Sequence, residues 1–170
     1  NIWVVASITS ASQGPGVAGY AYLPFSHGSP FDGMVCEAEF LGFEPAANAV
    51  LIHEMGHYLG LYHTFEGGCP NGDCLLDGDR VCDTPPDQAQ HSVCPFNSCN
   101  TDADAPAPNP FSGDVDDLSW NFMDYSNLLC YKGFTAGQRD RMQDVLAFAR
   151  KSLLESDGCQ DPCTQLISAA

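Results

Sequence analysis

The sequence predicts an α+β fold, and three observations carry that prediction. Strand-like runs fill the first 41 residues, a helix-length pattern with its own start and stop follows, and a long turn-rich stretch then leads to one more amphipathic pattern. The first run, Ile2-Trp3-Val4-Val5-Ala6, is β-branched and aromatic. A Gly/Pro/Ser-rich loop over 9–18 separates it from the second, Gly19-Tyr20-Ala21-Tyr22-Leu23. The third, Gly33 to Phe40, alternates only in part. Glu44 and Pro45 form a helix start, since proline suits the first helical position, where no N–H is needed. The body runs from Ala46 to Leu59, and Gly60 is its stop. Residues 64–120 hold no long element, a length of irregular chain that needs external staples. Within them Ala105 to Pro110 reads as an exposed loop tip. The last element is capped by Thr135 and runs to about Leu154, with Met142, Val145, Leu146, Ala149 and Leu153 on one apolar face. The tail from Glu155 reads as loop.

The chain's 170 residues suffice for one domain with a real core. Its 22 acidic residues against 6 basic ones give a net charge of −16. That charge excludes nucleic-acid binding through clustered Lys and Arg and disfavours anionic membranes. No apolar run reaches the ~20 residues of a membrane span. Nine cysteines are many for this length, and eight of them lie among turn residues. That setting reads as a disulfide framework and a secreted or periplasmic protein, with a thiolate metal site at Cys69/Cys74 or Cys159/Cys163 as the alternative. Cys36, in an apolar run, reads as an unpaired buried thiol. The chain begins at Asn1 rather than Met and is expected to be a processed or excised piece.

The segment His53-Glu54-Met55-Gly56-His57-Tyr58-Leu59-Gly60-Leu61-Tyr62-His63 carries the chemistry. Residues 53 and 57 lie one helical turn apart on one face, so two imidazoles reach one ion. His63 would lie about 15 Å from His53 on a continuous helix. It joins them only if the chain reverses after Leu59, where Gly60 tolerates positive φ. Three neutral imidazoles leave zinc's fourth position open, the arrangement of a catalytic site. Glu54 follows the first ligand and faces that open side. Three unrelated histidines are the bland alternative, but five fixed residues at fixed spacings arise by chance about once in 10⁵ such chains. A structural zinc site would need a fourth protein ligand and would leave Glu54 idle.

This segment matches the metzincin motif H-E-x-x-H-x-x-G-x-x-H, and Asn121 to Ser126 resembles the metzincin Met-turn. The chain resembles the pappalysin family, ulilysin-like secreted proteases among them, through His63 to Cys69, Gly78 to Pro85, the Met-turn and Phe134 to Gln138. The likeness spans roughly residues 45–145. It implies a single metalloprotease catalytic domain over 1–170. Its upper part, 1–60, would hold a small mixed sheet and the active-site helix above a cleft. Its lower part, 61–170, would be irregular, tied by disulfides and calcium, with a C-terminal helix. It further implies Met123 as an apolar floor beneath the zinc and Tyr125 as an oxyanion partner, an ordinary buried Met and Tyr being the alternatives. Glu54 would be general base and acid in the hydrolysis of peptide bonds. An upper edge strand, read here as the Gly19–Leu23 run with Tyr20 and Tyr22, would hold the substrate as an added strand.

Eleven of the acidic residues lie between Asp73 and Asp124, and most read as solvated surface. Carboxylate density over Asp77 to Thr84 suits calcium. The resemblance implies Asp79, Thr84 and the Val81 carbonyl as ligands, with Asp83 a further candidate. It also implies a Cys94–Cys130 disulfide and a second bond from Cys69 or Cys74 to Cys99. Spacing alone does not fix the residual pairs, for which Cys74–Cys82 and Cys159–Cys163 are one assignment. Two features depart from the family. The family usually has a strand-helix-strand portion before the strand at Ile2, so the upper part is expected to be N-terminally incomplete in this chain. Asn127-Leu128-Leu129 stands where relatives carry acids that receive Arg or Lys, so the pocket past the scissile bond reads as apolar through Leu128, while the net charge favours cationic substrates at long range. The expected partners are proteins or peptides, met by a monomer. A catalytically silent, zinc-stabilised binding domain is the rival reading.

Overall fold

The structure, a computed structural model, describes residues 1–10, 14–42 and 48–156. Three strands, β1 (Ile2–Val5), β4 (Gly19–Ala21) and β5 (Met34–Glu37), form one mixed sheet in the order β1-β5-β4. β5 runs parallel to β1, with Val35 opposite Trp3, and antiparallel to β4, with Val35 opposite Tyr20. β5 is central and every residue of it is buried, which is why its sequence reads as a continuous run rather than a clean alternation. β1 is an edge that leaves Ile2, Trp3 and Val4 exposed. The other edge, β4, faces the cleft described below. The expected loop over 9–18 is not wholly irregular, since β2 (Thr9–Ser10) and β3 (Gly14–Pro15) pair antiparallel within it.

Helix α1 (Ala49–Tyr58) packs on β4 and β5. Its expected start at Glu44 and Pro45 lies outside the described residues. Asn48 precedes it and ties the entry loop, its Nδ2 donating to the Gly42 carbonyl at 2.7 Å. Beyond α1 the chain is irregular up to α2 (Ala136–Asp144), apart from one bridge between Asn121 and Gly133. Three disulfides staple this stretch: Cys69–Cys99, Cys74–Cys82 and Cys94–Cys130. Cys36 is a buried free thiol. Cys159 and Cys163 lie outside the described residues.

Two expectations need correction. The last helix is not regular to Leu154. Thr135 and Gln138 form a reciprocal capping box at its start, but after Asp144 it widens into a π turn over Val145–Ala149 and then tightens into a 3₁₀ turn over Lys151–Leu153. The Arg150 N–H reaches back five residues to the Val145 carbonyl, and this wider turn swings the Arg150 side chain inward, where it is fully buried. The anticipated apolar face is only half-buried, and Phe148 is exposed. The acidic residues are the second correction. Outside the Asp77–Thr84 stretch, Asp87, Asp102, Asp117 and Asp124 are buried rather than solvated. Among the described residues no helix is long and apolar enough to cross a membrane.

Candidate metal centre and active-site cleft

α1 presents His53 and His57 one turn apart, and the chain then reverses as the spacing requires. The N–H of Leu59 bonds to the Met55 and Gly56 carbonyls, and the N–H of Leu61 also returns to Gly56. Gly60 sits at φ +90°, where a Cβ would also lie 2.8 Å from Val145 Cγ2. The reversal brings His63 Nε2 to 3.1 Å from His57 Nε2. One ring nitrogen from each of His53, His57 and His63 lies within 4.8 Å of the others.

Two carbonyls fix how these rings point. His53 Nδ1 donates to the Phe122 carbonyl at 2.6 Å, and His57 Nδ1 donates to the Leu61 carbonyl at 2.8 Å. With the proton on Nδ1, each Nε2 lone pair is turned toward the cluster. His53 Nε2 is buried without any partner. Burial, with the neighbouring His57 charge second, pushes the His53 imidazole down to about 3, and the same two causes take His63 to about 4. Burial also lowers His57, against its bond to Leu61 and the charge of Glu66. Three neutral imidazoles whose nitrogens converge, that of His53 without any partner, fit a zinc ion. Tetrahedral ligands at 2.0–2.1 Å stand roughly 3.3 Å apart, near the His57–His63 separation.

Met123 is fully buried and packs against the Gly56 turn of α1. Gly56 makes room for it, because a Cβ on Gly56 would lie 2.3 Å from Met123 Sδ. Asn121 shapes this turn, its Oδ1 accepting from Met123 N at 2.9 Å and its Nδ2 donating to Gln138 at 2.7 Å. Tyr125 stands beside the cluster with its ring 5.2 Å from His53 and 4.7 Å from His63. Glu54 is buried with Oε2 unpartnered, and burial raises its carboxyl to about 8. A cleft of about 900 Å³ opens here, lined by Gly19, Tyr20, Glu54, the three histidines, Tyr125 and Leu128 among others. Tyr22 is not in that lining. Its carbonyl instead accepts from Arg150 Nη2 at 2.9 Å.

Of the calcium candidates, Asp79, Val81 and Thr84 come together. The Thr84 hydroxyl bonds to Asp79 Oδ1 at 2.7 Å and to the Val81 carbonyl. Asp79 Oδ2 is buried without a partner, and burial raises this carboxyl to about 7. Asp83 points elsewhere, accepting from Thr135 Oγ1 at 2.7 Å and Gly137 N at 2.8 Å, and so anchors the start of α2. Sequence reasoning missed the two orienting carbonyls, which carry no side-chain signal. It also missed Phe65, whose ring stacks on His63 at 4.6 Å, and the buried Arg150.

The family model for peptidase M43, described as pregnancy-associated plasma protein-A, matches residues 1–147. An extracellular metalloprotease of Pyricularia oryzae is 35% identical over 158 residues, covering 86% of this chain and 48% of that protein. One of Sordaria macrospora is 44% identical over 92 residues, covering 53% of this chain and 27% of that one. Among solved structures, mature mirolysin of Tannerella forsythia in complex with a cleaved peptide matches with a TM-score of 0.59 and 28% identity. That match covers 86% of this chain and 51% of mirolysin. The chain thus spans about half the length, or less, of these relatives.

Proposed function

The chain belongs to peptidase family M43, and from that premise and the three-imidazole cluster we propose that it is an extracellular zinc-dependent endopeptidase. The convergence of His53, His57 and His63 beside a buried Glu54, at the floor of a peptide-sized cleft, carries this reading. Within the family we place it among the ulilysin-like secreted enzymes, as one catalytic domain over 1–170 whose parts meet near residue 60. The extracellular setting is supported by the disulfides and by the names of the fungal relatives.

The three histidines hold the zinc ion, which when bound supplies Lewis acidity toward a carbonyl and a water. Glu54 takes a proton from the attacking water and delivers it to the leaving amine. A buried carboxyl next to the three imidazoles, in the lining of the same cleft, suits both halves of that task. The Tyr125 hydroxyl donates to the oxygen that gains charge as the peptide carbonyl is attacked, and partial burial keeps this phenol protonated. Met123 holds the histidine floor level. The free edge of β4, with Tyr20 on it, pairs with the substrate backbone, and Tyr22 steadies that edge through its carbonyl. Leu128 lines the pocket past the scissile bond and favours an apolar side chain there. Asp79, Thr84 and the Val81 carbonyl hold a structural calcium, a reading supported by the orphaned Asp79 Oδ2. Asp83 acts from outside that set, by fixing α2.

Digestion of an unbiased peptide mixture, mapped by mass spectrometry with and without a zinc chelator, tests the reading. Chelator-sensitive cuts before Leu, Phe or Met are expected. Cuts before Arg or Lys would overturn the pocket assignment. Absence of cleavage by zinc-loaded protein would favour the binding-domain alternative.

A further inference from the structure

Away from the cleft, the irregular half of the chain buries a second set of ligand-type side chains. Asp87 is 1% exposed and Asp117 3%. His91 reaches both, with Nε2 at 3.1 Å from Asp87 Oδ1 and 3.6 Å from Asp117 Oδ2. One ligand atom from each of the three residues lies within 4.8 Å of the others. Backbone contacts hold them in place. The Asp117 N–H donates to the Phe96 carbonyl at 2.9 Å, and the Phe96 ring lies against the imidazole with centroids 3.8 Å apart.

The donors present do not satisfy these carboxylates. Ser98 has one proton, donated to Asp117 Oδ2 at 2.6 Å, although its oxygen also stands 3.2 Å from Asp87 Oδ1. Ala89 N donates to Asp87 Oδ1. The other two oxygens, Asp87 Oδ2 and Asp117 Oδ1, are buried with no partner at all. Asp124, itself fully buried, adds a third negative charge within electrostatic reach. Among the described residues the only ion-pair partner of Asp87 or Asp117 is His91. Buried carboxylates that share one imidazole and each keep a bare oxygen are costly.

We propose that Asp87, His91 and Asp117 form a second metal site, separate from the three-histidine centre, that binds a divalent transition-metal ion such as zinc. An imidazole among carboxylates selects this class over calcium, which prefers an all-oxygen shell. The 3.1 and 3.6 Å separations bracket the ~3.3 Å edge of a tetrahedral zinc site. The Ser98 hydroxyl orients Asp117, and the Ala89 N–H orients Asp87. An ion here cross-links the 87–98 segment to the chain entering the Met-turn, since Asp117 lies six residues before Met123. Its role is structural, and it does not depend on the peptidase reading.

The direct test is zinc-edge anomalous diffraction from crystals of the unmodified protein equilibrated with zinc, alongside metal counting by mass spectrometry. The expected result is an anomalous peak among His91 Nε2, Asp87 and Asp117, with one zinc fewer per chain in His91→Gln than in wild type. No peak there from wild-type crystals would overturn the proposal and leave the cluster neutralised by protons. Calcium density in place of zinc would overturn the metal class. Should His91→Gln fail to fold, the wild-type anomalous map decides alone.

Discussion

Replacing Arg150 with Met keeps the length and apolar stem of the side chain but removes the charge that holds the two halves of the molecule together. Its guanidinium is fully buried and donates to Asp32 Oδ1 at 2.6 Å, to the Tyr58 carbonyl at 2.7 Å and to the Tyr22 carbonyl at 2.9 Å. It also lies 3.5 Å over the Tyr58 ring. The Met variant leaves a carboxylate that is 8% exposed without its cation and two carbonyls without donors. Breaking a buried pair from one side costs about 3–5 kcal/mol. For a chain of this size that lowers Tm by roughly 6–20 °C, at 2–4 °C per kcal/mol. Urea unfolding of wild type, Arg150→Met, Asp32→Asn and the double variant measures it. The coupling is expected at the upper end of the roughly 0.5–3 kcal/mol seen for contacting residues. The pH dependence has a definite sign. Burial alone would raise the Asp32 carboxyl, but its bonds from Arg150, Gly28 and His27 outweigh that and hold it below its ordinary value. The pair's contribution is therefore complete above about pH 4 and lost as pH falls through the folded-state pKa. In Arg150→Met the uncompensated carboxyl titrates higher, so the gap to wild type narrows in acid. A loss below about 1 kcal/mol, or a gap independent of pH, would refute a clamp built on buried charge.

Three further outcomes are expected. Gly56→Ala places a methyl 2.3 Å from Met123 Sδ, so stability should fall by about 1–3 kcal/mol, with weaker zinc retention on dialysis; an unchanged Tm would mean that Met123 moves freely. Removing the Cys94–Cys130 bond by double substitution to Ser should cost about 2–5 kcal/mol and open the 87–98 segment to limited proteolysis, which a peptide map detects. Calcium at a hundredfold excess over its dissociation constant should stabilise wild type by about 2.7 kcal/mol, while Asp79→Asn should show no calcium-dependent rise in Tm.

The zinc-type motif was legible because ligand spacing, a turn glycine and a neighbouring acid leave few other geometries. The chain reversal at Gly60 follows from positions 53, 57 and 63 alone. The three strands of the mixed sheet were legible from β-branched, aromatic and apolar runs, although the burial of all of β5 depends on neighbours that its own residues do not announce. Buried acids were not legible. Asp87 and Asp117 lie among turn residues, where a solvated and a buried Asp look alike, and only the packing of distant loops decides between them. The burial of Arg150 was not legible for a similar reason. A cation near a helix end reads as surface, and the π turn that carries it inward answers to tertiary bonds with Asp32, Tyr22 and Tyr58. The carbonyls of Phe122 and Leu61, which aim the histidines, have no identity in a sequence at all.

The central claim is that Glu54 moves the proton in a reaction organised by His53, His57 and His63. The measurement that tests it most directly compares peptide cleavage by wild type and Glu54→Gln at matched, verified zinc content. Equal zinc at the three histidines and a rate lower by about 10²–10⁴ in the variant are expected. Full activity in Glu54→Gln with zinc in place would contradict it.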